Sequence, residues 1–281
     1  MPQTMPEPAV CSWSLQPAGP DDLVAKVRAT GLRRVQLALS PAVEEPLLWA
    51  ETADRLREAG IAIESGMMAM AGEDYSTLES IRRTGGVRPN ETWDRNLAHA
   101  QAVAELAAED GVELVTFHAG FLPEAADDPE RERMLDRLWT IGRIFADRGL
   151  RLGLETGQET AKTLLGVLED LHSMNCDNIG VNFDPANMLL YGVGDPVKAL
   201  VKLIGRVVQV HIKDAVPSET PGRWGLELPV NRGAVDWGAF LEVVRKADRV
   251  IPMVIEREGG DARVDDIRLA VRVLKAQWEQ D

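Results

Sequence analysis

Six polar side chains stand where short apolar runs end: His118 in VTFHAG, Glu155 in LGLETGQE, Asp184 in VNFDPANM, His211 and Lys213 in VQVHIKD, and Glu256 in MVIERE. Carboxylates and imidazoles bind divalent cations and move protons. Each one alone has a plain structural reading. An acid after a strand commonly caps the next helix, and a lone His is commonly packed or solvated. Yet Glu155, Asp184, His211 and Glu256 hold the same station on four successive runs. If those runs close around one axis, three carboxylates meet there and repel unless protonated or paired with a cation. A divalent metal answers that repulsion. Three oxygen donors and one imidazole nitrogen suit Mn²⁺, Mg²⁺ or Co²⁺ better than a thiolate-type zinc site. The expected cofactor is one divalent ion, Mn²⁺ first, with Co²⁺, Mg²⁺ and Zn²⁺ behind it. At an open mouth such an ion is a Lewis acid. It would ease removal of a proton beside a bound carbonyl, through an enediolate.

The elements that must position these residues are legible as alternation. Short runs rich in Val, Ile and Leu, apolar on both faces, predict buried parallel strands over residues 10–15, 34–39, 61–68, 113–119, 150–155, 179–183, 207–212 and 250–256. Helical patterns follow over 21–29, 46–59, 91–110, 129–148, 160–173, 195–204, 236–247 and 264–280, several with an acid or Pro start and a Gly stop. Eight such repeats predict an α/β chain folded as a single (β/α)8 TIM barrel over residues 1–281. No G-x-G-x-x-G follows the first run, which disfavours an open dinucleotide-binding sheet. In a barrel the active site lies at the C-terminal strand ends, where the six residues stand.

Composition narrows the class. The chain has 281 residues, with Lys+Arg 31 against Asp+Glu 45, a formal charge of −14. That argues against nucleic-acid and membrane-surface partners, which need a basic face. Two cysteines, Cys11 and Cys176, exclude a disulfide scaffold and a Cys-rich zinc site. The opening MPQTMPEPAV lacks a basic n-region and an apolar core, and no stretch approaches the roughly 20 apolar residues of a membrane span. The expectation is a soluble, cytoplasmic protein.

The set Glu155, NFDPAN, VHIKD and Glu256 resembles the xylose isomerase-like barrel superfamily, in its sugar phosphate isomerase/epimerase branch, over nearly the whole chain. The resemblance implies that Glu155, Asp184, His211 and Glu256 bind the metal. It implies further that Glu155 and Glu256 shuttle protons on opposite faces of a carbohydrate substrate, and that a homo-oligomer forms. Members include ketose 3-epimerases, hydroxypyruvate isomerases, inosose dehydratases and lyases of 3-keto-glycosides. The epimerases carry a His three residues after the Asp; here Asn187 stands there. Asn donates a hydrogen bond but carries no proton. The breadth of the family makes an isomerase or epimerase of a ketose or keto-sugar the first expectation, while Asn187 favours the second. A lyase or dehydratase acting through the same carbanion is the second, and a non-catalytic sugar-binding barrel is a distant third. A His-rich multinuclear nuclease is disfavoured by four His in all and by the charge.

Further residues are substrate contacts or plain surface. His118 reads as a donor or proton shuttle, or as a packing residue. Lys213 points to the same side as His211 on a continuing strand; it binds a substrate oxygen, or pairs with Asp214 or Glu256. Gln158 meets a sugar hydroxyl or is an ordinary first-turn residue. The long loop 215–235 reads as a lid with glycine hinges, Arg223 and Trp224 covering a ligand. Glu227 resembles an acid that touches substrate in relatives. Arg82, Arg83 and Arg88 form another rim or lie on solvated surface.

Overall fold

The computed structural model describes residues 4–279. Its centre is a closed parallel barrel. The first seven strands are β1 (Ala9–Cys11), β2 (Arg34–Ala38), β3 (Ala62–Met67), β4 (Leu114–Phe117), β5 (Arg151–Glu155), β6 (Ile179–Phe183) and β7 (Val207–Ile212). A small antiparallel hairpin, β8 (Asp214–Val216) with β9 (Leu226–Leu228), comes before the eighth barrel strand, β10 (Met253–Ile255). Neighbours around the barrel follow chain order, and β10 closes on β1. This is the α/β TIM barrel expected from the alternation.

The strands are buried on both faces, as a sheet wrapped by helices must be. Alternation sends Phe183 outward, where its ring meets Phe240 at 6.0 Å, and Asn182 inward. Helix starts follow one chemistry. Asp128, Asp195 and Asp236 accept backbone N–H bonds as caps, with Pro129 and Pro196 at the first helical positions. Each such cap contributes about 1 kcal/mol.

Several expected boundaries move. The strand over 10–15 ends at Cys11, and Trp13–Leu15 turns as a 3-10 helix. The strand over 250–256 shrinks to Met253–Ile255: Val250 is exposed, and Pro252 has no N–H to give a neighbouring strand. The helix over 46–59 breaks into Pro46–Trp49 and Thr52–Glu58. The helix over 264–280 runs Arg263–Trp278; Gln280 lies outside the described residues, as do Met1–Gln3 and Asp281. Loop 215–235 is partly built into the hairpin. Its far end is tied down by Asp214, whose carboxylate accepts from the backbone N–H of Asn231, Gly233 and Val235 and from the Trp237 indole. Among the described residues no helix is long and apolar enough to cross a membrane.

Candidate metal centre

Four side chains converge at the C-terminal mouth. Glu155 is the last residue of β5, Asp184 follows β6, His211 lies in β7 and Glu256 follows β10. Nδ1 of His211 is 3.4 Å from Glu155 Oε1, 3.5 Å from Asp184 Oδ2 and 3.3 Å from Glu256 Oε2. One donor atom from each residue lies within 4.8 Å of the others, and all four residues are buried.

Asp184 satisfies both of its sequence readings on different oxygens. Its Oδ1 accepts from the Asn187 N–H at 2.9 Å and so caps the helix Pro185–Tyr191. Its Oδ2 is buried without a hydrogen-bond partner and faces the cluster.

His211 is oriented from inside the barrel. Its Nε2 lies 2.8 Å from Gln36 Oε1. The Gln36 amide nitrogen faces the Gly66 carbonyl, which can only accept, so the amide oxygen must face His211. Nε2 therefore carries hydrogen and donates. Nδ1 faces the carboxylates, where that buried atom has no hydrogen-bond partner, and loss of its proton would turn a lone pair to them. The Asn182 amide nitrogen, itself a donor, lies 3.1 Å from Nε2 and gives its hydrogen to Glu155 instead. The strand register slips between Val35 and Gln36 and between Val181 and Asn182. Such irregularities re-aim side chains, and both of these precede residues that touch His211.

These donors fit a divalent cation. Atoms sharing one small ion at about 2.1 Å lie about 3–3.5 Å apart, which is the spacing around Nδ1. Two of them, Nδ1 and Asp184 Oδ2, have no other partner to desolvate against.

Charge is distributed unevenly over the four. Burial alone would raise every carboxyl. At Glu155 the His118 and His211 rings outweigh it and hold the group below its ordinary range. At Glu256 the Lys213 ammonium and His211 outweigh it strongly. At Asp184 burial wins over Lys213 and His211, and the group is pushed up to about 6. Burial pulls His211 down, but Glu155 and Glu256, with the contact to Asp184, hold it well above its ordinary value. Protons on His211 and Asp184 thus compete with a cation for the same positions.

Neighbouring groups fix the two glutamates differently. Glu256 accepts from the Trp13 indole at 2.6 Å on Oε1 and from Lys213 at 2.8 Å on Oε2. Lys213 also reaches Glu258 at 2.5 Å and lies 3.9 Å from Asp184. Burial pulls its ammonium down, and the charges of Glu256, Glu258 and Asp184 hold it well above its ordinary value. Glu155 is held by neutral amides: Asn187 Nδ2 at 2.9 Å and Asn182 Nδ2 at 3.2 Å. His118 Nε2 lies 3.6 Å from its Oε1.

The remaining expected contacts are dispersed. Gln158 is buried and donates to the Tyr191 hydroxyl at 3.3 Å. Trp224 packs edge-on against Tyr191 with ring centres 4.8 Å apart. Arg223 is exposed and is not brought to the cluster. Glu227 turns both oxygens to other partners, the Arg257 guanidinium at 2.7 Å and the N–H groups of Glu258 and Gly259. It thereby pins the turn that follows β10. Arg82 lies over the Phe121 ring at 4.5 Å, and Arg88 donates to the Phe121 carbonyl.

Sequence reasoning missed the layer beneath the cluster. Gln36, Ser65, Thr116, Asn182 and Gln209 are wholly buried inside the barrel. Ser65 donates to Gln209, Gln209 to Asn182, and Gln36 to Thr116. Thr116 and Asn182 each interrupt an apolar run as its one polar residue, in LVTF and IGVNF. A single polar residue inside a buried strand was the available signal. Trp13 and Tyr191 had none.

The fold is a closed barrel, and its rim carries four side chains that could hold a metal ion. A sequence model of the xylose isomerase-like TIM barrel matches residues 21–277, and the chain belongs to that family. It is similar to a xylose isomerase domain protein from Planctomyces limnophilus, with 29% identity, 90% of each chain covered and a TM-score of 0.81. A xylose isomerase-like TIM barrel protein from Mycobacterium smegmatis, solved in complex with magnesium, shares the fold at 18% identity and TM-score 0.70, covering 96% of this chain and 97% of its own. So does a probable 3-DHS dehydratase, AsbF, from Bacillus anthracis, at 18% identity and TM-score 0.70, covering 96% and 99%. No curated protein matches the chain.

Proposed function

We propose that the chain is a divalent-metal-dependent isomerase or epimerase of a ketose or related keto-sugar. The observation that carries this reading is the convergence of Glu155, Asp184, His211 and Glu256 with Nδ1 and Oδ2 buried and unpartnered. The four would hold the ion, Mn²⁺ by donor preference. When bound, it supplies Lewis-acid polarisation of a carbonyl and its neighbouring hydroxyl.

The chain's own groups do the rest. Glu155 Oε1, held by neutral Asn187 and close to His118, is the more basic of the two glutamates and removes the proton beside the carbonyl. Glu256, gripped by Lys213 and Trp13, rests as a carboxylate; the proton returned to the opposite face comes from the Lys213 ammonium, taken up at Oε2 and passed on to the carbon, leaving Lys213 neutral until it is reprotonated. Burial of the cluster excludes bulk water from the reacting carbon.

A second reading follows from Asn187. It occupies the helix turn above Glu155 and carries no proton. Elimination then follows naturally: the electron pair left on the carbon forms a double bond as a β-substituent leaves with a proton from His118. The dehydratase with this fold is consistent with it.

The test is exchange in deuterated water, with Mn²⁺ added, over a panel of ketoses and 3-keto-glycosides followed by NMR. The wild type should exchange the proton beside the carbonyl, and Glu155→Gln should slow it by about 10²–10⁴-fold. Retained stereocentres with loss of a substituent would select the lyase. No exchange on any substrate, or exchange indifferent to Glu155→Gln, would refute both.

A further inference from the structure

Cys11 ends β1 and is wholly buried, packed with Ala9 and Val254 against half-buried Trp13. The reaction proposed above makes no use of it. Its Sγ nevertheless reaches the floor of the metal cluster, 3.4 Å from Gln36 Oε1 and 3.9 Å from His211 Nε2.

Strand pairing fixes these positions. Cys11 stands opposite Gln36 where β1 pairs with β2, and His211 stands opposite Val254 where β7 pairs with β10. The Gln36 amide nitrogen donates to Thr116 Oγ1 at 2.8 Å and reaches the Gly66 carbonyl at 3.4 Å. Its oxygen therefore faces the thiol and the imidazole.

One neutral oxygen thus meets two donors. Cys11 S–H and His211 Nε2–H both point at Gln36 Oε1, the second from 2.8 Å. A cation can take the place of both hydrogens. Cys11, His211 and Glu256 each bring one donor atom within 4.8 Å of the other two. A sulfur at about 2.3 Å and a nitrogen at about 2.0 Å from one tetrahedral ion lie about 3.5 Å apart. The separation of Sγ and Nε2 is close to that. Gln36 Oε1, relieved of both hydrogens, is free to serve as a fourth donor.

The exchange balances. Sγ and Nε2 each release one proton, and the ion brings two positive charges, so the buried charge does not change. Nδ1 keeps a hydrogen, for which Glu155, Asp184 and Glu256 are acceptors at 3.4, 3.5 and 3.3 Å.

Sulfur decides which ion enters. Thiolates favour Zn²⁺ and softer ions, whereas Mn²⁺ and Mg²⁺ favour carboxylate oxygen. A neutral imidazole offers one lone pair at a time. Nδ1 serves the carboxylates at the rim, and Nε2 serves the thiol. Glu256 belongs to both donor sets. The two modes therefore exclude each other.

We propose that Cys11, His211 Nε2, Glu256 and Gln36 Oε1 form a second, thiolate-containing site for a thiophilic divalent ion of the Zn²⁺ or Cd²⁺ type, and that filling it expels a Mn²⁺-type ion from the rim. The site goes beyond the function proposed above and requires no turnover. Where the rim ion is catalytic, a thiophilic ion stops the reaction.

Cd²⁺ added to the full chain tests this. In chelator-stripped protein it should raise a thiolate-to-cadmium charge-transfer band in the ultraviolet. Cys11→Ala and the closer mimic Cys11→Ser should both lose the band, and Cys176→Ala should keep it. Cd²⁺ affinity should fall by about tenfold or more in Cys11→Ala, since even groups that only support a ligand are worth about 10–100-fold. Mn²⁺ affinity should move by less than about fivefold, which also verifies that the variants fold. On Mn²⁺-loaded wild type, the band should grow as free Mn²⁺ appears by EPR. No band in the wild type, a band that survives both Cys11 substitutions or is lost with Cys176, or a band without release of Mn²⁺ would each overturn the proposal. Release of Mn²⁺ without the band would place Cd²⁺ on the carboxylates and overturn it as well.

Discussion

Replacing Glu159 by Gln should free the protein from a penalty that grows as the pH rises. Glu159 lies in the turn after β5, 8% exposed. Burial, with no opposing charge or hydrogen bond, pushes its carboxyl from 4.5 to about 8. The folded state therefore holds a proton that the unfolded chain releases near 4.5. In that window the native state binds more protons, so stability is full below about pH 4.5 and falls as pH rises towards 8. At about 1.4 kcal/mol per pH unit the whole penalty approaches 5 kcal/mol, with about 3.5 kcal/mol of it arising between pH 5 and pH 8. Gln keeps the shape and does not ionise. Urea unfolding of the wild type and Glu159→Gln at pH 5, 6.5 and 8 reads the difference directly. The variant should gain about 3 kcal/mol relative to wild type between the two ends. A stability difference constant to within about 1 kcal/mol across that range would show that the carboxyl ionises in water-like surroundings, and the argument from burial would fail.

Gln36→Leu removes the oxygen that holds His211 Nε2–H and should weaken Mn²⁺ binding by about 10–100-fold, followed by EPR of free Mn²⁺; unchanged affinity would refute the tautomer lock. Because His211 is held protonated and Asp184 is pushed up to about 6, cation binding should release protons. Affinity should accordingly fall as pH drops from 8 to 5, most steeply below about 6 where Asp184 also takes up its proton, read by proton release in weak buffer and by calorimetry; a flat profile over that range would contradict it. Gly157→Ala places a Cβ against Asn187 at a positive φ and should cost about 2 kcal/mol or more, seen in urea unfolding, and a loss under about 0.5 kcal/mol would show that the helix can shift.

The barrel was readable because parallel strands covered on both faces are apolar throughout, and the chain repeats that signal between helices with Pro or acidic starts. Glu155, Asp184, His211 and Glu256 were readable for a related reason: each is the first acidic or basic group after an apolar run, and strand ends define one rim. Boundaries were harder to see. Pro252 and the turn at Trp13 shorten two runs that are apolar enough to continue, because backbone hydrogen bonding, not hydropathy, ends a strand. Glu227 shows the converse. Its resemblance to an acid in relatives suggested a substrate contact, while the structure engages its oxygens with Arg257, Glu258 and Gly259, partners 30 residues or more along the chain.

Residue type and period, which are local, settled the fold class and the rim on which Glu155, Asp184, His211 and Glu256 stand. What the tertiary structure decided is which atoms of those residues are free. Asp184 gives one oxygen to its helix and keeps the other for the cluster, and His211 turns Nδ1 outward because Gln36, 175 residues away, takes Nε2. Lys213 is spent on two glutamates, and Gln158 and Trp224 are left each with one unpaired atom beside Tyr191. Hydrogen bonds are short and directional, so which partner claims an atom depends on distances of a few ångströms between distant parts of the chain, and those distances exist only once the barrel has closed.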